Sequence, residues 1–227
     1  MTPRATKATP GAKAQPENWA DKTEQALLEA FLPHAAAQGW SLAAMTAAGA
    51  EIGLSSGDIG LLCPNGPRDM AALYGRRCDA RALAALQAMN PAPAKIREKI
   101  AAGVSARIEA AMADETAARR WAGFLALPTN AALGLQLTWE SADVLWRWAG
   151  DVATDENHYS KRAILGGILI PALAIRLADG KDAAEAFVAA RIENVMQFEK
   201  WKAGIKPSEH FDRIARTLSR MRYGTSA

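Results

Sequence analysis

A chain of 227 residues, half of them hydrophobic, holds one large domain or a small domain joined to a larger one. A net charge of +3 is too small to imply a nucleic-acid partner by itself. The two cysteines, Cys63 and Cys78, stand far apart without a CxxC pair, which excludes a disulfide scaffold or a zinc ribbon and points to a reducing compartment.

The charge is unevenly spread. Residues 1–16 carry Arg4, Lys7 and Lys13 with no acid, and residues 206–227 carry five basic groups against Glu209 and Asp212, so each end is about +3 and the middle about −3. Basic ends on a mildly acidic body suit either an anionic surface or plain solvated tails. The first segment has no apolar h-region, so it is not a secretory signal; residues 1–17 read as a disordered basic tail. The longest apolar run, AILGGILIPALAI at 163–175, is too short to cross a bilayer, which leaves peripheral membrane association.

Abundant Ala, few β-branched runs and regularly spaced breakers predict an all-α chain. Helix one starts near Asn18, a candidate N-cap with Asp21 at N3, carries the stripe Leu27, Leu28, Phe31 and Leu32, and ends at Gly39. Ser41 caps a second helix with Leu42, Met45 and Ile52 inward, ending at Gly53; Ser55 opens a short third, and CPNGP (63–67) breaks the chain. Longer helices are predicted over 67–89, 94–112, 114–127, 129–148, 163–178 and 182–203, with GDVATDENHYSKR (150–162) as a polar connection, and a last helix from Pro207 to about Tyr223. The organisation is therefore a tail (1–17), a three-helix unit with helix-turn-helix rhythm (18–66), a larger bundle (67–205) and a C-terminal amphipathic helix (206–227). The stretch IGLSSGDIGLLC (52–63) resembles the turn and recognition helix of TetR-type regulators.

Catalytic chemistry finds no support. His34, His158 and His210 are scattered; there is no HExxH or ExxH, no P-loop and no dinucleotide fingerprint. Asp155 and His158 are spaced for a shared metal, but a cap Asp beside a surface His explains them far better, so no metal site is expected. DNA recognition also fails on residue types: segment 55–63 has no Lys or Arg and one acid, Asp58, whereas a recognition helix needs groups for base edges and phosphates.

The last helix carries the clearest signal. Phe211, Ile214, Ala215, Leu218 and Met221 form one apolar stripe, with Arg213, Arg216 and Arg220 opposite, the pattern of a helix lying in an anionic membrane interface or docked on its own protein. In 163–175, Gly166, Gly167 and Pro171 interrupt Leu165, Ile168, Leu169 and Leu173; close helix approach at a dimer seam, room for a lipid chain, or ordinary core packing would account for them. Lys161 and Arg162 precede that run, where they could hold a lipid phosphate. Trp139 and Trp146, seven apart, line a cavity with Trp121, Leu125 and Leu135, or else pack in the core. Trp201 suits an interface.

The string LWRWAGDVATDENHYSKRAILGGIL (145–169), followed by FVAARIENVMQFEKWK (187–202), closely resembles the ubiquinone-biosynthesis lipid-binding accessory family, the coenzyme Q protein nine family. The matching residues are Trp146, Ala149–Gly150–Asp151, Thr154–Asp155, Asn157, Tyr159 and Lys161–Arg162, then Arg191, Ile192, Val195 and Met196; the resemblance runs over about residues 24–202 and includes GLLCPNG (60–66). It implies a TetR-like fold, a homodimer, an isoprenoid lipid or quinone intermediate as bound ligand in place of a cofactor, a membrane-engaging C-terminal helix, and presentation of substrate to the pathway's di-iron hydroxylase. It places Arg162 near a phospholipid headgroup, and Asn157 and Tyr159, with Asp155 and His158 beside them, in the patch that meets the hydroxylase. The chain departs from the family pattern at His158 and Glu156, where the family has aromatic residues, so the resemblance supports lipid binding better than hydroxylase binding.

The expectation is a non-enzymatic, lipid-binding accessory protein of ubiquinone biosynthesis, peripheral on the cytoplasmic face of a bacterial inner membrane, with no nucleic-acid partner. A ligand-responsive TetR-type regulator is the alternative.

Overall fold

The computed structural model describes residues 19–152 and 156–204. Among these residues every regular element is helical: α1 (Trp19–Gln38), α2 (Leu42–Glu51), α3 (Ser56–Leu62), α4 (Pro67–Gln87), α5 (Ile96–Met112), α6 (Glu115–Ala126), α7 (Ala131–Ala149), α8 (Glu156–Asp179) and α9 (Lys181–Gly204), with one 3-10 turn at Pro128–Asn130. The all-α class is as the sequence predicts, and the three-helix start is consistent with a TetR-like arrangement. The tail, Asp155 and the helix predicted from Pro207, with its stripe Phe211–Met221, lie outside the described residues.

One helix boundary and one buried face differ from expectation. The supposed connection 150–162 is helical from Glu156, so Lys161 and Arg162 sit more than a turn inside α8. Leu42 and Ile52 are not inward: they are 61% and 37% exposed. The buried face of α2 is set by Ala44, Met45, Ala48 and Gly49, and at 100° per residue Leu42 falls about a quarter turn away from its centre.

The chain divides into two compact units, and the division does not follow chain order. It runs through α4 after Tyr74, where the sequence suggests a boundary at residue 67, and the first unit takes back Thr116–Asn130. In this first unit α1 contributes Leu27, Leu28, Phe31 and Leu32 to the core. Edge-on ring contacts link Phe31 to Trp40 (5.0 Å), Trp40 to Tyr74 (5.5 Å) and Tyr74 to Trp121 (5.4 Å). Both indoles are satisfied: Trp40 donates to the carbonyl of Ala117 and Trp121 to that of Ala71. On α3, Ser55 and Asp58 cap each other reciprocally, and this helix leaves Leu61 84% exposed.

The second unit, Gly75–Glu115 with the chain from Ala131, holds the longer helices. Its core combines Ile100, Val104 and Ile108 of α5 with Ala142 and Leu145 of α7, Leu165, Ile168, Leu169 and Ala172 of α8, and Val188 of α9. Small residues set the spacing. A Cβ on Gly103 would sit 3.2 Å from Leu145, and one on Gly166 would sit 3.1 Å from the Thr138 methyl, so Gly166 serves close packing of α8 on α7 within one chain. A buried polar knot of Asp79, Arg107 and Ser141 ties α4, α5 and α7 together.

Candidate lipid-binding groove

Between the start of α5 and the facing sides of α7, α8 and α9 lies a groove of about 420 Å³. Its floor is Ile100, Trp146, Leu165, Ile168, Ile192 and Val195; its mouth is formed by Lys95, Ile96, Arg97 and Ile164. The volume falls within the roughly 300–1,000 Å³ of small-molecule sites, and the walls are almost wholly apolar. Trp146 is fixed in the wall by donating its indole N–H to the Lys161 carbonyl at 3.0 Å, while the Lys161 ammonium stands 5.3 Å from the ring centroid.

Of the residues expected to line a lipid cavity, Trp146, Leu165 and Ile168 meet here. Leu169 is buried in the core beside them and Leu173 packs against it. Trp121 and Leu125 belong to the other unit, and Trp139 and Leu135 lie on the outside of α7 at 37% and 65% exposure. The α5 and α9 lining residues escaped the sequence reading. Nothing local shows which distant helices the first turn of α5 faces.

Arg162 lies at the α7–α8 junction. Its side chain is 1% exposed, although the helix end around it is polar. The guanidinium donates to Asp143 at 2.7 Å, to Asp151 at 3.1 Å and to the His158 carbonyl at 3.0 Å. Lys161 also reaches Asp151, at 2.6 Å, so two carboxylates and two cations lock the α7–α8 connection. Burial pushes the Asp143 carboxyl up, but hydrogen bonds from Arg162 and Arg147 outweigh it and hold the group below its ordinary value. With hydrogen bonds to Asp143, Asp151 and the His158 carbonyl, Arg162 ties α8 to α7 and to the connection between them.

A second feature lies on the outer side of the α7–α8 pair. Trp139, His158 and Tyr159 form a ring cluster, with centroids 6.4 Å (Trp139–His158), 6.0 Å (Trp139–Tyr159) and 5.2 Å (His158–Tyr159) apart. Tyr159 is 64% exposed. His158 thus supplies a ring at the position where the sequence pattern lost a tryptophan. The side chain of Asn157 lies outside the described residues. Among the described residues no group of His, Cys, Asp and Glu gathers to hold a metal, and no helix is long and apolar enough to cross a membrane.

Residues 131–199 match the sequence model of the COQ9 family. The mitochondrial ubiquinone biosynthesis protein COQ9 of Bos taurus is 25% identical over 186 residues, 78% of this chain and 58% of its own length. The COQ9-A protein of Xenopus laevis and the COQ9 protein of Xenopus tropicalis, both mitochondrial, are each 35% identical over 77 residues, 33% of this chain and 24% of theirs. Over residues 131–199 the chain is similar to the COQ9 family. It spans less than two thirds of the length of these curated relatives. The COQ9 match covers α7, α8 and most of α9, and so takes in the Arg162 clamp, the outer ring cluster and the α7, α8 and α9 walls of the groove. The basic mouth at Lys95–Arg97 falls outside it.

Proposed function

We propose that this protein is a non-catalytic accessory protein of ubiquinone biosynthesis that holds an isoprenoid lipid or quinone intermediate in the α5–α7–α8–α9 groove and presents it to a membrane-associated di-iron hydroxylase. The observation that carries this reading is the apolar groove, walled largely by the family region. The names of the relatives supply the pathway. The exposed Trp139–His158–Tyr159 cluster supports the partner contact, since exposed aromatic residues are favoured as interface anchors. The amphipathic sequence at 207–223 supports a membrane contact, and the chain works as a homodimer.

The deciding experiment is mass spectrometry of lipids extracted from protein purified without detergent. Polyprenyl quinone species or phospholipid are expected at near-stoichiometric amounts. Val195→Trp, which fills the groove from a half-buried position, should lower the retained lipid by about fivefold with the fold intact. Wild-type protein that emerges empty would sink the lipid-binding role. For the partner contact, Tyr159→Ala should weaken pull-down of the hydroxylase by at least about tenfold, a hot-spot loss. Unchanged capture would remove the ring cluster from the interface.

A further inference from the structure

The mouth of the groove combines three features that ordinary folding does not call for. Ile96 and Ile164 stand at its edge 51% and 42% exposed, and Val152, in the adjoining α7–α8 connection, is 90% exposed. Lys99, one turn along α5 from Lys95, donates to the Ala149 carbonyl at 3.3 Å, which brings the start of α5 beside the end of α7, three residues before Val152 in the chain. Lys95 and Arg97 flank Ile96 at the very start of α5, where unsatisfied backbone N–H groups favour acids over cations. Glu98 answers one of these charges, across a 3.5 Å contact to Lys95. Arg97 has no ion pair among the described residues.

We propose that this rim, Lys95–Ile96–Arg97 with Val152 and Ile164, is a membrane-docking surface that seats the open groove on an anionic bilayer, so that lipid passes between bilayer and groove at the point of contact. The inference rests on the groove being a lipid site. Charge selects the occupant: two cations around exposed aliphatic groups match acidic headgroups above an acyl layer. They disfavour this chain's own segment 206–227, which is itself basic, as a cover for the groove. The rim residues lie outside the amphipathic sequence at 207–223 in the chain, so the two would be independent membrane contacts.

The test uses the full chain and vesicles of phosphatidylcholine with and without 30% phosphatidylglycerol (about a third anionic lipid, as in a strongly charged leaflet). Wild type should bind the anionic vesicles more tightly, and added salt should weaken that preference. Lys95→Glu with Arg97→Glu should weaken binding at least about thirtyfold, because loss of the two cations alone costs roughly 2 kcal/mol and the two new acids add repulsion. Ile96→Ser leaves charge unchanged and should weaken binding about fivefold by removing an inserted side chain. All three positions are exposed, so folding is expected to survive, and thermal unfolding of each variant checks this. Binding within threefold of wild type for the double variant (about 0.6 kcal/mol) overturns the surface, as does an Ile96→Ser variant indistinguishable from wild type. An acidic protein captured by the rim while vesicles are ignored overturns it too. Lipid retention is read in the same samples. Weakened docking with retained lipid supports the rim and the groove together. An empty wild-type groove defeats the lipid-binding reading, whatever the vesicles report.

Discussion

Arg162 and Arg97 are the same residue type near the same groove, and their surroundings make them opposites. Arg162 is buried, shares two carboxylates and a carbonyl, and joins α7 to α8. Arg97 is exposed at the groove mouth with no ion pair among the described residues. A guanidinium loses so much solvation on burial that several acceptors are needed to make its burial tolerable, and each acceptor the protein supplies leaves one donor fewer for a ligand. Basic residues next to an apolar pocket therefore fall into two kinds, those that hold the pocket's walls and those available to what enters it. The difference lies in acceptors contributed from elsewhere in the chain.

The sharpest way to break this contrast is Arg162→Met. It keeps an aliphatic stem and leaves Asp151, whose side chain is 5% exposed, without its guanidinium. The expected cost is about 2–3 kcal/mol of unfolding free energy, below the full cost of an unpaired buried charge because Lys161 still reaches Asp151, measured by urea denaturation. A loss under about 1 kcal/mol would mean that Arg162 is not a clamp, and its headgroup role would reopen.

A smaller effect sharpens the contrast through pH. Asp143 has its folded value held below the ordinary 3.8, so the stability it lends is fully present above that value. It disappears as pH falls through the lower, folded value. Asp79 runs the other way: burial raises it despite Arg107 and Ser141, so acid relieves a cost there. The clean reading is therefore the difference between wild type and Asp143→Asn. It should be largest at neutral pH and shrink below about pH 4. A difference that stays constant down to pH 2.5 would remove the charge of Asp143 from the clamp.

The sequence showed the helix ends well, because breakers act locally. Gly39, Gly53, Gly66, Gly150 and Gly180 all adopt positive φ near helix termini, and Ser41 and Ser55 cap as their positions suggest. The same local reading failed at 156–162, where a polar run looks like a loop but is the first turns of α8, with Arg162 turned inward. Polar composition signals exposure only until a long-range partner appears. Asp143 lies nineteen residues before Arg162 and in another helix. The tryptophans failed for a related reason. Trp139 and Trp146 share a helix face by spacing, yet seven residues are about 10 Å of axis, enough to put one in the outer ring cluster and the other in the groove wall. Trp121 had only its residue type in common with them, and it packs in the other unit.

The smallest expected effect bears hardest on the rim. Lys95→Met and Arg97→Met should each change unfolding free energy by no more than about 0.5 kcal/mol, as ordinary surface substitutions do. Removing a cation from a helix N-terminus is favourable by a few tenths of a kcal/mol. Loss of the Lys95–Glu98 pair, with side chains 65% and 45% exposed, offsets part of that gain. Near-neutral stability means that these cations do little for the fold, which is what a surface kept for a partner requires. A loss above about 1 kcal/mol for either variant would give it a structural role. The rim would then be a second clamp, the contrast with Arg162 would collapse, and the vesicle measurements on charge-reversed protein would need to be judged against a weakened fold.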